Sequence, residues 1–314
     1  MRNHFSKYVV VLHILFSTKY AMAEWYPFTW VEHKFPGLHS SKAAILLPTG
    51  LNGVNCTLQL DTGSSNTILY RNGLPKTLLP DDDVAETKTL NFKIGSLNLT
   101  QTVPLMYQRE KDTSAVKCNG VAGTLGNDFL LNGTLTLDLK NALYQFSIGP
   151  YLAVNSEEIA VPMELIETGN GGRVPVVTAT LKNRNKLKLQ IDSGSALADV
   201  IVFLKENWLE LVGRIDTNKL PKFSAARWGH TMTCFSAPSI EPINLDELVL
   251  DKGTVVTYCE DPQERASKEN FLFGILGFGP FQDRKLRIDY VSRKIVIQKV
   301  SLTPESIVDW AVSR

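Results

Sequence analysis

T-L-Q-L-D-T-G-S-S (Thr57 to Ser65) and K-L-Q-I-D-S-G-S-A (Lys188 to Ala196) are two copies of one pattern. In each, apolar and polar residues alternate into an aspartate, a hydroxyl residue and a glycine. A period of two is the period of a half-buried strand. Each copy therefore reads as a strand that ends in a tight turn presenting an aspartate. The downstream segments repeat as well. T-L-G-N-D-F-L (Thr124 to Leu130) and L-T-L-D-L-K-N-A-L-Y-Q-F (Leu135 to Phe146) in the first half match I-L-G-F-G-P-F (Ile275 to Phe281) and L-R-I-D-Y-V-S-R-K-I-V-I (Leu286 to Ile297) in the second. The same twelve positions separate Gly126 from Asp138 and Gly277 from Asp289. A lone D-T-G occurs by chance in roughly one chain in ten of this length at average residue usage. Two copies with matched downstream elements do not have that explanation, and the halves are duplicates in design.

The rest of the chain uses strand-and-turn grammar: short runs of Val, Ile, Leu, Thr and Phe broken by Gly, Asn and Pro. Lys42 to Pro48, Cys56 to Leu60, Val174 to Leu181, Lys186 to Ile191 and Lys294 to Lys299 are the clearest strands, and Glu164 to Arg173 reads as a hairpin tip. Helical periodicity is confined to Phe203 to Val212 and the tail after Thr303. The expected fold is mainly β, with the halves joined around Asn155.

The chain has 314 residues, 44% of them hydrophobic and 21% charged, enough for a sizeable core. A net charge of +1 with no Lys/Arg cluster excludes a nucleic-acid footprint. Arg2 and Lys7, the apolar Tyr8 to Ser17 and then Ala21-Met22-Ala23 form the three regions of a signal peptide over residues 1–23. That apolar run is half the roughly 20 residues a membrane span needs. The expectation is export, to the periplasm or outside, with no membrane span left after signal removal. Four cysteines (Cys56, Cys118, Cys234, Cys259) allow three pairings. The duplication favours one bridge per half, Cys56 to Cys118 and Cys234 to Cys259, with four buried thiols as the alternative. No C-x-x-C occurs and three histidines lie beyond the signal, so no metal and no cofactor is expected. Asp81 to Asp83 reads as a solvated acidic loop.

Taken together, D-T-G-S-S-N at Asp61 to Asn66 and D-S-G-S at Asp192 to Ser195 resemble the active-site motifs of the aspartic protease superfamily, the pepsin-like and retropepsin-like enzymes, and the short stretch between the signal and Lys42 leads to the expectation of a bacterial-type member. The resemblance runs from about Lys42 to Lys299. It implies a bilobal pepsin-like fold of two pseudo-symmetric, barrel-like β lobes, here 24–155 and 156–300, with a cleft between them and residues 301–314 as a tail with helical character. It implies peptide or protein substrates and a single-chain monomer, because both aspartates are already present. Asp61 and Asp192 are the expected catalytic pair. Gly63 and Gly194 would remove a Cβ where the loops crowd. Thr62 and Ser193 would pin the two loops to each other, and Ser64 and Ser195 would bond the outer oxygens of the aspartates.

The residue types set the chemistry. Amide hydrolysis without a covalent intermediate needs a base to take a proton from water and an acid to protonate the carbonyl oxygen. Two carboxyls in contact, sharing one proton, serve as both. The sequence departs from pepsin-like enzymes in its flap, for no Tyr-Gly-Thr or Tyr-Gly-Ser occurs between Tyr70 and Gly120 and Tyr107 is the nearest tyrosine. Trp228 and His230, in the longer second-half insertion, either reach the cleft or cover the core. The competing reading is a non-catalytic inhibitor or ligand-binding protein on the same fold.

Overall fold

The computed structural model describes residues 24–80, 85–107, 118, 120–151, 154–169, 171–183, 185–227, 230–260 and 272–299. The signal segment, the C-terminal tail, the acidic run at 81–83 and Trp228 lie outside them, as does the side chain of His230.

The first half contributes β1 (Tyr26–Pro27), β2 (Thr29–Glu32), β3 (Lys42–Leu51), β4 (Val54–Leu60), β5 (Ile68–Tyr70), β6 (Thr87–Ile94), β7 (Leu97–Met106), β8 (Gly123–Leu125), β9 (Gly133–Asp138) and β10 (Leu143–Ile148). The alternation that marked these strands sends one face inward. β3 buries Ile45, Leu47 and Leu51, and β4 buries Cys56, Leu58 and Leu60. Asn52-Gly53, both at positive φ, closes β3 on β4 in a two-residue hairpin. β4 then pairs in parallel with β8, β8 antiparallel with β5, and β5 in parallel with β7. β7 forms a hairpin with β6, which returns to β3 at Leu51↔Phe92, so the strands close into a barrel.

The second half contributes β11 (Glu158–Glu167), β12 (Arg173–Thr180), β13 (Lys186–Ile191), β14 (Val200–Val202), α1 (Lys205–Val212), β15 (Lys222–Arg227), β16 (His230–Pro238), β17 (Ile243–Leu245), β18 (Leu248–Leu250), β19 (Val255–Glu260), β20 (Gly274–Leu276), β21 (Lys285–Asp289) and β22 (Lys294–Gln298). Its wiring repeats the first. β12 pairs antiparallel with β13, β13 in parallel with β20, β20 antiparallel with β14, and β14 in parallel with β19. β17 returns to β12 at Thr180↔Asn244. The expected helix begins two residues later than its periodicity, at Lys205, and packs Trp208, Leu211 and Val212 inward. The hairpin tip read at 164–173 narrows to 168–172, because β11 and β12 stay paired out to Glu167↔Arg173.

A third layer joins the two halves. Its order is β1, β10, β9, β21, β22, β11, and at its centre β9 pairs antiparallel with β21. The register there sets Thr136 opposite Arg287, with Leu137 opposite Leu286 and Leu135 opposite Ile288. Thr136 and Arg287 occupy the same place in the two repeats, so a local two-fold axis passes between them. The fold is the mainly β architecture of two duplicated halves, as expected. Both disulfides are formed, Cys56–Cys118 in the first half and Cys234–Cys259 across β16 and β19 in the second. No helix among the described residues is long and apolar enough to cross a membrane.

Candidate active site

Each aspartate stands at the end of a strand whose other face is anchored in the core of its own half. β4 delivers Asp61, whose N–H donates to Leu125 O at 3.0 Å, and β13 delivers Asp192, whose N–H donates to Leu276 O at 3.1 Å. The Leu125-Gly126 and Leu276-Gly277 pairs therefore run directly behind the two turns. The turns face each other so closely that a Cβ on Gly63 would lie 2.6 Å from Asp192 Cγ, and one on Gly194 would lie 2.8 Å from Asp61 Oδ1. Contacts that short are not seen for real Cβ atoms, so glycine is required in both.

Between the turns lies a reciprocal set of four hydrogen bonds. Thr62 N–H donates to Ser193 Oγ (2.9 Å) and Ser193 N–H to Thr62 Oγ1 (3.0 Å). Thr62 Oγ1 donates to Ile191 O (3.0 Å) and Ser193 Oγ to Leu60 O (2.9 Å). Both residues are fully buried, so all four bonds are shielded from competing water.

The two carboxyls face one another across the turns, close enough for the Asp192 charge to act on Asp61. Asp61 Oδ1 also accepts from the N–H groups of Gly63 (2.9 Å) and Ser64 (3.1 Å). Asp192 Oδ1 accepts from Gly194 N–H and Oδ2 from Ser195 Oγ, both at 2.8 Å. Burial first, and then the Asp192 carboxylate, hold Asp61 well above the usual carboxylate range, against the pull of the two N–H donors. The surroundings of Asp61 thus favour a proton held within the pair.

The serines after the glycines are not equivalent. Ser195 Oγ bonds its aspartate, as expected, but Ser64 Oγ donates to Asn66 O at 2.7 Å. The main-chain N–H of Ser64 already serves Asp61, which leaves its hydroxyl to satisfy the carbonyl of the turn.

Sequence reading overlooked Asn127 and Tyr290. Asn127 is fully buried and donates from Nδ2 to Thr62 O (2.8 Å) and Ser64 O (2.9 Å), which holds the first turn from behind. Its own Oδ1 accepts from Tyr290 OH (2.7 Å), a residue of the second half. The signal was a break in the repeat, since Asn127 stands where the second copy has Phe278. Gln190 was also passed over. Its Nε2 crosses the two halves to donate to Gly63 O at 2.7 Å. Two further carboxyls brace the turns: Asp128 accepts from Thr67 N–H, Thr67 Oγ1 and Gln101 Nε2, and Asp199 accepts from Val255 N–H. Burial raises both above the usual range.

The string K-I-G-S-L-N-L-T forms the β6–β7 hairpin, a wall of the first barrel and not a flap. Tyr107 is exposed at 71%, with the Arg71 guanidinium 5.4 Å from its ring centre. An open depression of about 500 Å³ is lined by His39, Ser40, Lys42, Asp199 and Gln282, and neither Asp61 nor Asp192 lines it. Among the described residues no group of three or more His, Cys, Asp or Glu could hold a metal ion.

No family model matches this sequence, and none of the curated proteins matches it. Among solved structures, the chain is similar to the crystal structure of aspartic proteinase from Irpex lacteus, at 10% identity and a TM-score of 0.48, over 83% of this chain and 96% of that one.

Proposed function

We propose that this protein is an aspartic endopeptidase that hydrolyses peptide bonds with water activated between Asp61 and Asp192. The observation that carries the reading is the pair itself: two facing carboxyls, presented by equivalent turns of a duplicated fold that are locked together by four buried hydrogen bonds. In this mechanism the ionised carboxylate of the pair takes a proton from water as it attacks the carbonyl carbon. The other gives its proton to the carbonyl oxygen, and the tetrahedral intermediate then collapses with protonation of the leaving nitrogen. Thr62, Gly63, Ser193 and Gly194 hold the two carboxyls in place, and Ser64 and Ser195 serve the turns through a main-chain N–H and a hydroxyl respectively.

Residues 24–155 and 156–300 are the two lobes in this reading, and the substrate is an extended peptide between them. A secreted or periplasmic monomer accords with the two disulfides and the N-terminal signal pattern. Digestion of a fluorogenic peptide library at acidic and neutral pH tests the reading. Cleavage that a statine-type analogue inhibits, and that falls by about 10³-fold or more in Asp61→Asn and in Asp192→Asn, is the expected result. Undiminished cleavage in either variant removes the paired-carboxyl mechanism. No cleavage by the native chain would favour the non-catalytic binding protein.

A further inference from the structure

Both repeats carry a glutamine two positions before the aspartate, Gln59 and Gln190. The strand period places each on the face of its aspartate, since β4 turns Leu58 and Leu60 into the core and β13 turns Leu189 and Ile191 inward. The two-fold relation offers both side chains the same reach across the halves, yet only one takes it. Gln190 donates to Gly63 O, whereas Gln59 makes no side-chain hydrogen bond among the described residues.

The bond acts on a peptide group that Asp61 uses. Gly63 C=O and Ser64 N–H belong to one amide, and that N–H donates to Asp61 Oδ1 at 3.1 Å. A donor on the oxygen of an amide draws electron density from it and strengthens its N–H as a donor; such chains reinforce each bond by about 10–30%. It also fixes the plane of the amide, so that the N–H stays aimed at the carboxyl. The turns share one bond, Ser64 N–H to Asp61 O and Ser195 N–H to Asp192 O, but only the first N–H also reaches its carboxyl, and the second carboxyl takes the Ser195 hydroxyl instead.

We propose that Gln190 is a positioning residue for Asp61, holding the Gly63–Ser64 amide from the opposite half and making the two carboxyls inequivalent. The proposal deepens the endopeptidase reading and rests on the paired carboxyls it describes. The relay favours the ionised form of Asp61 and so limits how far burial and Asp192 can raise it. Asp192 is the one titratable group acting on Asp61 among the described residues; its other partners are the N–H groups of Gly63 and Ser64.

Carboxyl-carbon NMR titration of the full chain, labelled on aspartate and with Asp61 assigned by its loss in Asp61→Asn, tests this without any substrate. In Gln190→Met, which keeps the length of the side chain and loses the amide, Asp61 gives up its proton at a pH higher by about 0.5. Gln59→Met leaves that midpoint where it is in the native protein. A folded Gln190→Met with an unchanged Asp61 midpoint overturns the proposal. Should that variant fail to fold, the native chain decides. The Ser64 N–H and the Gln190 side-chain amide are expected to move with the Asp61 midpoint while the Gln59 amide does not, and a silent Gln190 amide overturns the proposal. Failure of the native chain to hydrolyse peptides would remove the endopeptidase reading and leave this titration result standing.

Discussion

Tyr290 shows what one buried hydroxyl contributes to the site. It is fully enclosed, burial keeps its phenol protonated far beyond the ordinary range, and its OH goes to Asn127 Oδ1. Tyr290→Phe keeps the ring and orphans that oxygen, so the chain should lose about 1–3 kcal/mol of stability, measurable by denaturant unfolding. Because Asn127 still holds Thr62 O and Ser64 O in this variant, the loss of activity should be far smaller than in Asn127→Leu, which releases both. A second residue-scale test concerns Thr62. Thr62→Val keeps the volume but strips Ser193 N–H of its acceptor and Ile191 O of its donor in a dry setting. Unpaired buried groups of that kind cost about 1–3 kcal/mol each, so thermal unfolding should detect the change even before any assay of hydrolysis.

At the scale of elements, the bridging sheet contains a buried ion pair, Arg287 of β21 with Glu158 of β11, with the guanidinium also 4.3 Å from the ring centre of Tyr151. Arg287→Met leaves Glu158 buried and unpaired, at a cost of about 3–5 kcal/mol. The double change Arg287→Met with Glu158→Leu should recover most of that loss, because two apolar side chains suit the site better than one stranded charge. An additive double variant, read from denaturant midpoints, would contradict the assignment. The same sheet marks the limit of what sequence could reveal. The strands that carry the repeat, from Thr57 into Asp61 and from Lys188 into Asp192, were legible because a barrel buries one face and so imposes a period of two. The pairing of β9 with β21 was not, since the register of distant strands is set by the docking of the two whole halves. Asn127, Tyr290 and Gln190 were missed for a related reason: each acts across the halves, where no local pattern announces a partner. Ser64 was misread because a repeated residue was assumed to have a repeated bond.

For the whole molecule, the shifted carboxyls share one direction. Asp61, Asp128 and Asp199 are all raised from 3.8, in each case chiefly by burial. A carboxyl raised in the folded state binds its proton more tightly there than in the unfolded chain, so folding is favoured while the group is protonated in both states. That contribution is fully present below the unfolded value and is lost as pH rises through the folded one. The three together predict a protein whose melting temperature falls between about pH 4 and pH 7 by several degrees. Asp61→Asn removes the largest single cause, for an amide at that position never has to ionise beside Asp192. Its melting curve should therefore exceed that of the native chain near pH 7 and converge on it near pH 4, where native Asp61 is protonated. Calorimetry across that range reads both effects. A native melting temperature that rises with pH, or an Asp61→Asn advantage that is greatest in acid, would reverse the sign and contradict the buried environment assigned to the pair. The expected outcome describes a fold that gives up stability toward neutral pH to keep two carboxyls facing one another, as the proposed proton-sharing pair requires.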